Sequence, residues 1–222
     1  MKDIENLSDN YKTIYGHLEN EFEEKKSIFI TDAKYVDSED EALEFIEEIR
    51  KKYNDATHNC TAYIINKNPI IKRYNDDGEP TYSAGMPILS VLEKENLKNV
   101  VVVVTRYFGG KKLGKGGLVR AYTKATTDCI NKKIVEKKAY VEVELIYDYT
   151  NAGIIDNFIL DRKYHIIDKN YTDKVSMRLY IDKEKFENFS TDIINLTSNN
   201  IIINKKEIKM LFSHNQKIIK EA

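Results

Sequence analysis

Val100-Val101-Val102-Val103-Val104-Thr105-Arg106-Tyr107-Phe108-Gly109-Gly110-Lys111-Lys112-Leu113-Gly114-Lys115-Gly116-Gly117-Leu118 is the stretch on which the reading of the fold turns. Five consecutive β-branched residues predict a strand covered on both faces, since a strand with one wet face alternates apolar and polar side chains. The glycines from Gly109 to Gly117 predict a turn, and a helix is expected from near Leu118, burying Leu118, Tyr122, Ala125 and Cys129. Arg106, Lys111, Lys112, Lys115 and Arg120 lie between Lys98 and Lys124 with no Asp or Glu among them. A glycine loop that opens a helix and is ringed by cations offers backbone N–H groups and positive charge to an anion. Arg106, Lys111, Lys112, Gly114, Lys115, Gly116 and Arg120 are therefore the candidate anion or nucleic-acid contacts. Tyr107, Phe108 and Tyr122 interleave with these cations and could stack on bases.

Upstream, residues 11–18 and 27–36 read as strands separated by a charged turn at 19–26. Ser38-Glu39-Asp40-Glu41 is a capping box, and Ala42, Phe45, Ile46, Ile49 and Tyr53 follow at helical spacing. Residues 60–65 and 70–74 suggest a hairpin around Asn66-Lys67-Asn68-Pro69, and a further helix should open near Ala84 to Pro87. Downstream, strand and helix patterns over 140–147, 152–160, 165–170, 175–181, 186–196 and 201–212 give the order βαββαβ of a ferredoxin-like sandwich. The fold class is thus α+β with two domains, residues 1–136 and 137–222, divided near Glu136-Lys137-Lys138.

The 222 residues carry 35 Lys and Arg against 36 Asp and Glu, a formal charge of -1, so the whole chain is no polycation. Nucleic-acid binding would have to rest on local asymmetry. Such asymmetry exists, because the segment from Asp37 to Glu48 is acidic and carries no base. Two cysteines are too few for a disulfide scaffold, and no apolar run near the N-terminus suggests a signal or anchor. A soluble, cytoplasmic protein without cofactor or metal is expected.

Two further stretches accompany the glycine loop: Asp55-Ala56-Thr57-His58-Asn59-Cys60-Thr61-Ala62-Tyr63, and Asp76-Asp77-Gly78-Glu79-Pro80-Thr81-Tyr82-Ser83-Ala84-Gly85-Met86-Pro87. With the loop they resemble, in order, the three motifs of the IMPACT family, whose bacterial members are often called YigZ-like. The resemblance implies an N-terminal βαβ domain similar to domains of elongation factor G and of a small-subunit ribosomal protein. It also implies a C-terminal domain similar to another part of elongation factor G. His58, Cys60, Asp77 and Glu79 would then mark a motif surface beside the loop. Eukaryotic relatives act in translational control through an additional N-terminal interaction domain with no counterpart in these residues, so their kinase-scaffold role does not transfer. What the resemblance leaves is a non-enzymatic regulator of translation or stress response, with RNA or the ribosome as partner and a protein partner in translational control as another option.

The rival reading is an enzyme that handles a nucleotide or phosphorylated small molecule. Gly109 to Gly116 nearly spells a P-loop, but Gly116 stands where the magnesium-binding hydroxyl belongs. His58 and Cys60 share one face of a strand and could pair as base and nucleophile, although no third orienting group is visible. Asp76, Asp77 and Glu79 could hold a hard cation or simply shape a turn. Convergence of His58, Asp77, Glu79 and Arg106 on one pocket would favour a small ligand, and a flat basic face would favour RNA.

Overall fold

The valine run is the middle strand of a five-stranded sheet. The computed structural model describes residues 10–131, 133–215 and 217–219. In chain order the strands are β1 (Tyr11–Ile14), β2 (His17–Glu24), β3 (Ser27–Tyr35), β4 (His58–Ile65), β5 (Ile71–Asn75), β6 (Val100–Tyr107), β7 (Ile134–Tyr147), β8 (His165–Tyr171), β9 (Val175–Asp182), β10 (Ile202–His214) and β11 (Lys217–Ile218). The helices are α1 (Glu39–Lys52), α2 (Gly85–Lys94), α3 (Lys115–Ile130), α4 (Ala152–Asp161) and α5 (Phe186–Leu196). The chain divides into two compact units, Tyr11–Glu136 and a second formed by Lys137–Ala222 with the segment that ends at Asn10.

In the first unit the order is β2-β3-β6-β4-β5, and each adjacent pair is antiparallel. β3 and β4 are therefore parallel to each other with β6 between them, joined through α1 as a βαβ crossover. Both faces are covered. Val100, Val102 and Val104 enter one core with Ile88, Leu92, Leu118, Tyr122 and Ala125 of α2 and α3. Val101 and Val103 enter the other with Phe45, Ile46 and Ile49 of α1. All five valines are fully buried. At about 1.5–3 kcal/mol per large apolar side chain removed from water, this strand is a main source of the unit's stability.

Three boundaries differ from the sequence expectation. Residues 11–18 form two strands, broken at Gly16, and the charged segment after Leu18 continues as strand to Glu24. β2 is an edge strand, so its outward positions take charge while Leu18 and Phe22 face inward, a pattern that imitates a loop. α3 starts at Lys115, which puts Gly116 and Gly117 inside its first turn. β7 begins at Ile134 rather than near Tyr140, so the expected division between Glu136 and Lys137, where the two units part, falls within a strand. The capping box is present, with Ser38 Oγ accepting from the Glu41 N–H at 3.2 Å and Glu41 Oε2 accepting from the Asp37 N–H at 2.9 Å.

The second unit has sheet order β11-β10-β7-β9-β8. With β7, β8, β9 and β10 as the four strands of βαββαβ, this is the 4-1-3-2 order of a ferredoxin-like sandwich. β9 alternates cleanly, with Val175, Met177, Leu179 and Ile181 buried against Ile155, Phe158 and Ile159 of α4 and Phe189 and Ile193 of α5. The opposite face carries an ion-pair ladder in which Glu142 accepts from Arg178 and Lys209, both at 3.2 Å.

Candidate functional site

The loop after β6 is pinned at its start and open afterwards. Thr57 Oγ1 accepts from the Phe108 N–H at 3.0 Å, and Ser27 Oγ accepts from the Gly109 N–H at 3.2 Å. Gly109 passes so near the β2–β3 turn that a Cβ would lie 1.8 Å from the Lys26 carbonyl oxygen, which only glycine tolerates. Gly114, with φ 74°, turns the chain into α3, and its carbonyl accepts the Leu118 N–H at 2.9 Å. No side chain caps α3, and its first turn holds no acid, so the positive end of the helix dipole is unopposed. Lys111, Lys112, Lys115 and Arg120 are exposed, and among the described residues none of them makes a side-chain hydrogen bond or ion pair. Arg120 folds back over this turn, because a Cβ on Gly116 would lie 3.6 Å from its Nη1.

Arg106 is placed apart from these cations. Its side chain is 6 % exposed, and Nη1 donates to Glu79 Oε1 at 2.6 Å while Nη2 donates to Ser27 Oγ at 3.2 Å. The guanidinium also lies 5.5 Å from the ring centres of Phe29 and Phe108. Arg106, a candidate anion contact, is thus a buried cation already neutralised by Glu79. Register explains it: Arg106 pairs across the ladder with His58 of β4. The turn after β5 brings Glu79 onto the same spot, where Glu79 Oε1 also accepts from Tyr122 Oη at 2.9 Å and stands 3.9 Å from His58 Nε2. His58 Nδ1 is 2.7 Å from the Asp77 carbonyl oxygen, which can only accept, so Nδ1 carries a proton. Cys60 Sγ donates to the Asp76 carbonyl at 3.0 Å and contacts Tyr122 Oη at 3.4 Å. Burial pushes both the Cys60 thiol and the Tyr122 phenol up, which leaves Cys60 a poor nucleophile.

His58, Glu79 and Arg106 do meet, with Cys60 and Tyr122 beside them, whereas the Asp77 carboxylate goes to the Asn59 N–H instead. The three carboxylates of the turn go to three different tasks. Asp76 Oδ1 accepts from the Ala84 and Gly85 N–H groups at 3.0 and 2.9 Å, and Oδ2 from the Tyr82 N–H at 2.8 Å, which satisfies the start of α2. Asp77 Oδ2 accepts from the Asn59 N–H at 2.6 Å, and Glu79 holds Arg106. This is turn chemistry rather than a shared cation site. Of the aromatics expected beside the cations, Tyr122 is fully buried, Phe108 is exposed, and Tyr107 Oη donates to Asp55 at 2.7 Å. Lys124 is paired with Asp128. Tyr122 is therefore no stacking residue but a partner of Glu79, and its helical spacing from Leu118 is the one sequence signal for that inward position.

A family model described as the Impact N-terminal domain matches residues 25–130, and one described as a domain of unknown function, DUF1949, matches residues 145–200. The chain is 39% identical over 203 residues to the IMPACT family member YvyE of Bacillus subtilis, covering 91% of this chain and 94% of that one. It is 31% identical over 172 residues to the IMPACT family member YigZ of Escherichia coli, covering 76% and 84%. A solved structure titled only as that of a hypothetical protein aligns over 90% of this chain and 99% of its own, at 27% identity and a TM-score of 0.56. The chain belongs to the IMPACT family. Among the described residues no helix is long and apolar enough to cross a membrane.

Proposed function

We propose that this protein is a cytoplasmic, non-enzymatic regulator of translation that binds RNA or the ribosome through phosphates at the glycine loop. The observation that carries the reading is the set of four exposed, unpaired cations, Lys111, Lys112, Lys115 and Arg120, around the uncapped start of α3. Single exposed lysines without an ion pair among the described residues occur elsewhere, as at Lys67 and Lys94, and others are paired, as Lys72 is with Glu93 and Lys169 with Asp156; what sets the loop apart is four such cations around one helix start. Cations left unpaired at a helix N-terminus suit an anionic partner whose phosphates replace condensed counterions. Gly114 and Gly116 let a phosphate approach the backbone, and the two lysines before Leu113 extend the positive surface along a strand of nucleic acid. Family membership agrees with a role in translational control. Co-sedimentation with ribosomes and gel-shift with single-stranded RNA test the reading. Wild type should bind at low salt, and the double variant Lys111→Ala, Lys112→Ala should bind more weakly while staying folded.

One observation favours a small phosphorylated ligand instead. The cluster of His58, Glu79, Arg106 and Tyr122 is convergent, and Arg106 Nε and Ser83 Oγ are buried with no hydrogen-bond partner among the described residues. Against it, Glu79 and Arg106 already neutralise each other, and Gly116 offers no hydroxyl to a magnesium ion. Protein-dependent ATP or GTP hydrolysis that disappears in Lys115→Ala would move the assignment to this reading.

A further inference from the structure

A second cluster lies on the α1 face of the same sheet. β2 and β3 pair so that Glu19 stands directly opposite Asp32, and His17, two residues earlier on β2, shares their face. The His17 ring meets Phe45 of α1 edge-on at 5.3 Å, and its Nε2 is 3.0 Å from Asp32 Oδ1. Lys52, at the end of α1, places Nζ 2.7 Å from Glu19 Oε1 and 3.4 Å from Asp32 Oδ1. One ligand atom each from His17, Glu19 and Asp32 lies within 4.8 Å of the others. Like charges directly opposite on one sheet face repel. The Asp32 side chain is wholly buried, which is costly unless a cation stands nearby. A separate observation concerns the second oxygen of that carboxylate: Asp32 Oδ2 is buried and has no hydrogen-bond partner among the described residues. It is an unused lone-pair donor on a carboxylate that already faces an imidazole and a second carboxylate.

We propose that His17, Glu19 and Asp32 form a three-ligand site for a divalent transition-metal ion of the zinc type, with the Lys52 ammonium as its competitor. One imidazole nitrogen with two carboxylate oxygens suits zinc, whereas magnesium and calcium favour all-oxygen sets. The His17 and Glu19 side chains are 38% and 56% exposed, so an ion enters from solvent and keeps a water in its fourth position. Lys52 is 43% exposed and can swing outward, exchanging one positive charge for two.

The test is calorimetric titration of Zn2+ into the full chain, with Co2+ absorption in the visible as a second readout. Wild type should take up one equivalent, and Mg2+ at the same concentration should not compete. His17→Ala should weaken Zn2+ binding at least about tenfold, since even groups behind the ligands are worth roughly ten- to hundredfold. Asp32→Asn should do the same. Lys52→Met should bind more tightly than wild type, an effect that no purely structural role of the cluster gives. His17 is partly exposed, so His17→Ala and Lys52→Met decide the matter if Asp32→Asn fails to fold. Absence of Zn2+ uptake by wild type, or uptake unchanged by His17→Ala, would overturn the proposal. Weaker binding in Lys52→Met would overturn it as well.

Discussion

Arg106, at the end of β6, and Arg120, in the second turn of α3, bracket the same glycine loop. The first is buried, bound to Glu79 and Ser27, and set near two aromatic rings. The second is exposed, with no ion pair among the described residues, and leans over Gly116. Both count equally toward a basic segment in the sequence. The register of β6 against β4 and the turn that carries Glu79 decide which cation is consumed by the fold and which is left for a partner. A cluster of like charges in a sequence is therefore a set of candidates, and burial sorts them.

The contrast breaks most visibly at Glu79. Glu79→Ala leaves Arg106 buried without its partner and should destabilise the protein by about 3–5 kcal/mol in urea unfolding. Lys111→Ala with Lys112→Ala should stay within about 0.5 kcal/mol of wild type for each exposed site. Equal effects from the two sets would erase the distinction between a structural and an available cation. Asp76→Ala comes next, since the Ala84 and Gly85 N–H groups at the start of α2 and the Tyr82 N–H of the preceding turn lose their acceptor; a loss of about 0.5–2 kcal/mol, typical of a helix cap, is expected. The smallest effect is a silence. Cys60 is fully buried, and burial raises its thiol pKa, so a thiol reagent at mildly alkaline pH should label it only after unfolding. Rapid labelling of Cys60 in the native protein would mean that the cluster around Glu79 opens to solvent, which favours a ligand site there.

Much of the framework is legible in the sequence because local chemistry states it. Val100 to Val104 require cover on both faces, and α1 and the pair α2 and α3 supply it. Ser38 and Glu41 announce α1, and the alternation in residues 175–181 announces β9. The edge strand β2 is hidden because solvent-facing edge positions and loops both take charge. Around the site, Lys111, Lys112 and Lys115 are exposed, as expected of loop lysines. A partner for Arg106 in the 76–79 turn can be read from its place at the end of the buried strand, but that Glu79 rather than Asp77 takes it depends on how β6 registers against β4. The same holds for His17, Glu19 and Asp32, whose meeting depends on the β2–β3 register.

The central claim is that the unpaired cations of the loop meet phosphates, and the salt dependence of binding tests it most directly. For single-stranded RNA, each phosphate contact contributes about 0.7 to the slope of log affinity against log salt. Across a salt series, wild type should bind with a steep negative slope. The Lys111→Ala, Lys112→Ala variant should bind more weakly with a slope shallower by roughly 1.4, two contacts at about 0.7 each, at unchanged stability. An identical slope in the two proteins, or no wild-type binding at the lowest salt, would contradict the account.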